Sequence, residues 1–373
     1  MSSPLGAEPR SGKISILSAF CAIILAIGLM NHVMVIPPLL QEAKPDAWLS
    51  VLSALVPFLV WSSVLYFVMK RTNQQPLLPW LRQHCGAAVC GAIRCFFAVY
   101  LLLIGTLTLK DTTVWTHASY LPRTPIVALA GTLILLSGWA AYAGIRAIAI
   151  SSGFLLPFVI VFGDFVMSAN LPKKNYSLLT PILENGVPPV LKGTLYIGGG
   201  LAELLVLLLL QHRLKTKVRV GSVWLLSVFL VLLILGPVTG AIAEFGPFEA
   251  AELRYPAFEE WRLVSIGKYI RHVDFLSIHQ WLSGAFVRIS LAVFLLDDLL
   301  GSKRTKKSKA IGIASVCLAM FVLAVLPISD MQYLAFLKNY YLPGSLMAST
   351  GALVVLLLAV LVSRKTKEGA HDS

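Results

Sequence analysis

The chain has 373 residues, 57% of them hydrophobic and only 13% charged, with a mean hydropathy of +0.79 and a formal net charge of +13. That composition excludes a soluble domain, and apolar runs that are continuous rather than alternating exclude a membrane β-barrel. The positive balance is not a nucleic-acid signature: Lys and Arg cluster in short segments between apolar runs, the pattern that holds loops on the cytoplasmic side.

Runs of about 20 apolar residues each match one crossing of a bilayer. In chain order they cover 14–37, 48–69, 87–109, 125–143, 147–167, 190–210, 220–243, 275–296, 310–326 and 343–362. The sequence therefore predicts an all-α polytopic membrane protein of about ten helices, with both termini on one side. The first run, led by Arg10 and Lys13, is too long for a signal-peptide core and reads as a membrane helix. With the N-terminus inside, inner segments carry 18 Lys and Arg against 11 in outer ones, which supports that orientation. The expected organisation is a cytoplasmic N-terminus at 1–13, a first five-helix half at 14–167 and an outer loop at 168–189. A second five-helix half follows at 190–363, then a cytoplasmic tail at 364–373. The longest connection contains a segment, 248–272, that mixes apolar and charged residues at helical spacing. It predicts an amphipathic helix lying on the outer surface.

Two runs contain residues that a plain membrane helix avoids. Run six holds Gly198, Gly199 and Gly200, followed by Glu203. Each Gly costs about 1 kcal/mol of helix relative to Ala, and a mid-membrane charge costs about 2.5–3.5 kcal/mol on insertion scales. Run one holds Gly28, Met30, Asn31 and His32 ahead of Pro37. Run one enters from inside and run six, five helices later, from outside. Interrupted helices at matching positions of two halves point to an inverted-repeat permease with a site at the interruption. Opened backbone offers N–H groups to a carboxylate and carbonyls to a cation. The candidate binding residues are thus Gly28, Met30, Asn31, His32, Gly198, Gly199, Gly200 and Glu203. Thr106, Thr108 and Tyr196 are candidate polar liners. Glu203 could contact ligand, carry a proton or fix the turn, and Arg288 could pair with an acid or line a wet cavity.

Cys21, Cys85, Cys90, Cys95 and Cys317 lack metal-ligand spacing. With no phosphate-binding loop, G-x-S-x-G or HExxH, no metal, cofactor or enzymatic activity is expected.

Several short motifs resemble those of the endospore germination permeases, the B subunits of spore nutrient receptors. They are Asn31-His32-Val33-Met34-Val35-Ile36-Pro37-Pro38, Asp46-Ala47-Trp48, Gly200-Leu201-Ala202-Glu203, Asp274 followed by Trp281 and Gly284, and Tyr341-Leu342-Pro343-Gly344. They occur in the family's order over nearly the whole chain. Two departures stand out: Met30-Asn31-His32 replaces a Gly-rich break, and Arg271-His272 replaces Glu-Arg. The resemblance implies an amino acid–polyamine–organocation superfamily fold, a five-plus-five inverted repeat with broken helices one and six. It implies residence in the spore inner membrane beside A-type and C-type receptor subunits. It also implies sensing of a small nutrient germinant, often an amino acid. The alternatives are an H⁺- or Na⁺-coupled amino acid transporter, a structural scaffold subunit, and an ion or water conduit of the receptor.

Overall fold

The computed structural model describes residues 12–265, 272–301 and 305–369. Parts of the expected N-terminus, of the 248–272 segment (with Arg271) and of the tail lie outside the described residues. Every regular element in the described residues is a helix, and eight helical stretches are long and apolar enough to cross a membrane. The protein is an all-α polytopic membrane protein.

The first stretch, Ile16–Arg71, is a hairpin. It comprises α1 (Ile16–Met30), a π-helical turn at Asn31–Val35, α2 (Ile36–Ala43) and α3 (Ala47–Arg71). Lys44 breaks the helix with φ 47°. Eleven residues of straight helix would separate Leu39 from Ser50 by about 16 Å, yet both side chains meet Gly193. The chain therefore reverses between them. Then come α4 (Leu77–Ser119), kinked at Gly86 with φ +84°, and α5 (Ile126–Ala143). Gly144, at φ +100°, turns the chain directly into α6 (Ile145–Ala169). The second half holds α7 (Val187–Leu201), α8 (Leu207–Leu210), α9 (Val220–Phe245), α10 (Pro247–Glu252) and α11 (Pro256–Leu263). It closes with α12 (Leu276–Leu299), α13 (Lys306–Ala324), α14 (Asp330–Phe336) and α15 (Leu342–Gly369). With the hairpin counted as two arms and the 24-residue α12 included, the described residues hold a helical crossing for each of the ten apolar runs.

Two groups of helices assemble around α1. On one side α12 contacts α4, α5, α6 and α13; on the other, α3 contacts α7, α9 and α15, and α7 contacts α15. The central α12 buries polar residues: Arg288, Ser290 and Asp297. Close approach to α1 requires Gly284, where a Cβ would lie 2.8 Å from that of Leu29. Large apolar side chains left exposed, such as Trp139 on α5, Phe154 on α6 and Leu225 on α9, face outward. Lipid is the solvent that suits them.

Within the expected amphipathic segment at 248–272 the described residues form two short helices, and α11 turns one face inward, burying Phe258, Glu260 and Trp261. Arg254 fastens this connection to α4 and α14, donating to Asp111 at 2.6 Å and to Asp330 at 3.0 Å. At the opposite end Ile14 bridges the segment after α8, and Arg213 pairs with Asp298 at 2.5 Å.

Candidate functional site

The two expected helix interruptions exist, but neither opens the backbone. Pro37 has no N–H to donate and its ring crowds the carbonyl one turn back. The π turn at Asn31–Val35 widens the helix there, with the Ile36 N–H reaching Asn31 O. In the second half, α7 runs unbroken through Gly198–Gly200, and the irregularity follows as a 3₁₀ stretch at Ala202–Val206. The glycines serve close packing. A Cβ on Gly199 would collide with the Leu342 backbone, and one on Gly200 would lie 2.6 Å from Asn31 Oδ1. The Gly199 carbonyl accepts a hydrogen bond from Ser345 Oγ at 2.9 Å, and Ser345 Oγ accepts one from Tyr100 at 2.9 Å. The expected unwound pocket between helices one and six is therefore filled by α1, α7 and α15.

Glu203 is fixed by the same packing. Arg288 reaches it from α12 and engages both carboxylate oxygens, one through Nη2 at 2.6 Å and the other through Nη1. Tyr341 donates to Oε1 at 3.1 Å. The guanidinium spends its other donors on Thr108 Oγ1 at 2.7 Å and Ala26 O at 2.9 Å. Both side chains are nearly fully buried. A low-dielectric ion pair of this kind is costly to desolvate, and removing one partner strands the other, at about 3–5 kcal/mol. Every polar atom of the carboxylate is occupied, so of the three roles open to Glu203 the geometry supports fixing the helices. A void of only about 30 Å³ adjoins the pair.

The opposite face of α1 borders a real cavity of about 340 Å³. Gly28 and His32 face it from α1 and the π turn, and α6, α9, α11 and α12 complete it. Its lateral rim carries the exposed Ile160, Phe229 and Leu232, on the side where α6 and α9 barely touch. Most of the wall is apolar, and its polar groups gather towards α11. His32 Nδ1 lies 2.7 Å from Gly28 O. A carbonyl can only accept, so the proton sits on Nδ1 and Nε2 of the neutral ring is an acceptor. Gln280 is spoken for: its amide donates to Val159 O at 2.9 Å and accepts from Trp261 at 2.8 Å. Thus α11 is clamped over the cavity. Glu260 is 2% exposed, and its Oε1 has no partner among the described residues. Burial, reinforced by Glu244 and opposed by Lys174, pushes its carboxyl well above the usual carboxylate range.

Of the residues singled out from sequence, Gly28 and His32 line this cavity, and Glu203 lines the small void. Met30, Asn31, Thr106, Tyr196, Gly199 and Gly200 are buried outside both, and Gly198 packs on Leu346. Asn31 is notable: neither side-chain polar atom has a partner among the described residues. The sequence reading missed Glu260, Trp261 and Gln280. The signal they carry in the sequence is an acid–tryptophan pair in a stretch of mixed apolar and charged residues at helical spacing.

Comparison with known proteins gives three matches. A family model described as spore germination protein, the spore permease family, matches residues 13–333. The chain is 41% identical over 341 residues to spore germination protein XB of Bacillus anthracis, covering 91% of this chain and 95% of that protein. It is 24% identical over 278 residues to the YfkT protein of Bacillus subtilis (strain 168), covering 73% and 74%.

Proposed function

The chain belongs to the spore permease family of spore germination proteins, and from that premise we propose that it binds a small nutrient germinant in the cavity beside α1. It is an integral membrane protein of a germination-related permease family, which is not an enzyme family. In the proposed reading it is the B subunit of a receptor in the spore inner membrane, works with A-type and C-type subunits, and recognises an amino acid or a molecule like one. Residues 14–167 and 190–363 are its two inverted five-helix repeats. The observation that carries the reading is the cavity of about 340 Å³ bounded by α1 and its π turn and by α6, α9, α11 and α12. Pockets that hold small ligands are of this size, largely apolar with a few convergent polar groups.

Gly28 and His32 contact the ligand in this reading. The Glu203–Arg288 pair holds the two helix groups in register around it. A ligand that binds one arrangement of these groups better shifts their equilibrium, and partner subunits sense the shift.

Gly236→Leu tests the proposal. A Cβ at Gly236 would meet Met167 Cε at 3.7 Å, ordinary contact, and Gly236 lines the cavity, so a leucine there is expected to place its added atoms in that space. Gly131→Leu, on α5 away from the cavity, is the control. Spores carrying Gly236→Leu should retain the protein in the membrane and lose the response to the cognate nutrient. An unchanged response would refute the cavity as the germinant site.

A further inference from the structure

The cavity's lining is chemically one-sided. Among the described residues its titratable members are His32, Asp164 and Glu260, and no Lys or Arg among them lines it. Asp164 stands exposed at the rim on α6, while Glu260 is buried under α11 with one carboxylate oxygen unpartnered. Four aromatic rings, Phe229, Phe258, Trp261 and Trp281, share the wall. A ligand carboxylate would meet two acids, an imidazole acceptor and a glutamine amide already donating to Val159 O. It would find no cation among the described residues. An ammonium would find two carboxylates, an acceptor nitrogen and aromatic faces, each of which attracts positive charge.

Resting on the proposed germinant site, we propose that recognition there is of an organic ammonium with an apolar body, its positive end held at Glu260 and Asp164 and its body between α1, α6 and α9. The ligand's own carboxylate, where it has one, contributes nothing to affinity. The rim between α6 and α9 accommodates apolar bulk, and the acids at the α11 end set the orientation.

The groups that face Glu260 make binding pH-linked. Among the described residues they are Glu244 on α9 and Lys174 after α6, with Asp164 and His32 sharing the cavity lining. Lys174 is held by Glu244 at 3.3 Å, both side chains fully buried, so the lysine is not free to neutralise Glu260. The ammonium binds the ionised carboxylate, and the empty site favours the protonated one. Affinity therefore rises as pH rises through the Glu260 titration.

The test uses the full chain in lipid nanodiscs and calorimetric titration with four probes: 3-methylbutylamine, leucine, 3-methylbutan-1-ol and 4-methylpentanoate. The amine should bind at least as tightly as leucine, and the alcohol and the carboxylate about tenfold more weakly or worse. Glu260→Gln should reduce the ratio of amine to alcohol affinity about tenfold and flatten its pH dependence; Asp164→Asn should reduce the same ratio. The ratio is insensitive to a fraction of misfolded protein. Tighter binding of the carboxylate, or a ratio unmoved in both variants, would overturn the assignment. Failure of Gly236→Leu to block the nutrient response sinks the site itself. A blocked response with the wrong probe order sinks only the ammonium reading.

Discussion

The two faces of α1 behave in opposite ways. Towards α7, α12 and α15 its carbonyl at Ala26 and its side chain at Asn31 sit in dense packing, beside an ion pair whose acceptors and donors are filled. Towards α6, α9, α11 and the start of α12, Gly28 of the same helix and His32 of its π turn border about 340 Å³ of space. One face holds most of the polar residues that catch the eye in the sequence, and it has no room for a ligand. The other is mostly apolar, and it has the room. Charge in a membrane marks function by default, but the Glu203–Arg288 pair, with three further hydrogen bonds shared between its two members, has the geometry of a fastener.

The comparison breaks first at Arg288. Arg288→Leu leaves Glu203 buried without a counter-ion and should destabilise the protein by about 3–5 kcal/mol, read as lost membrane accumulation and a lower thermal midpoint in nanodiscs. Glu203→Gln combined with Arg288→Gln should recover part of that loss. A double variant no better than the single would mean that the pair is not the fastener described.

The glycine run gives the next effect. Gly199→Ala drives a Cβ into the Leu342 backbone, which cannot rotate away, whereas Gly198→Ala meets only the Leu346 side chain at 3.2 Å. Overpacking of the first kind costs about 1–3 kcal/mol, and the second should cost less. Equal midpoints for the two variants would remove the close-packing account of the run.

On the cavity face, Gly236→Leu should leave the midpoint unchanged or higher, because a helical Gly costs about 1 kcal/mol relative to Ala. It should still abolish the nutrient response. That contrast of intact fold and lost function is the opposite of the outcome expected at Arg288. The smallest effect belongs to the clamp: Trp261→Phe deletes the donor to Gln280 and should cost about 0.5–1.5 kcal/mol, seen as faster hydrogen exchange in α11.

Much of the architecture was legible because it follows from lipid. A bilayer demands long apolar helices, so composition and run length alone define an all-α membrane protein, and the ten runs each found a helix. Motif order over the whole chain sufficed for the family. The π turn ahead of Pro37 was legible too, since proline is poor helix material; the three adjacent glycines drew attention to the second stretch, but α7 stays helical through them and the irregular turn follows at Ala202–Val206. The form of these stretches was not legible. Whether a glycine run opens or closes depends on what approaches it, and Leu342 and Asn31 come from distant parts of the chain.

The same limit governed the site. Glu203 and Arg288 were each conspicuous in the sequence, but 85 residues separate them, and only the fold makes them partners. Glu260 was passed over because a period of 3.6 shows that a helix has an apolar face without showing where that face points. The sequence by itself determined the solvent, the helix class and the residues that had to be explained. Tertiary structure alone decided which of them were satisfied by one another and which faced open space. Satisfaction is a property of pairs brought together across the chain, and no residue carries it alone.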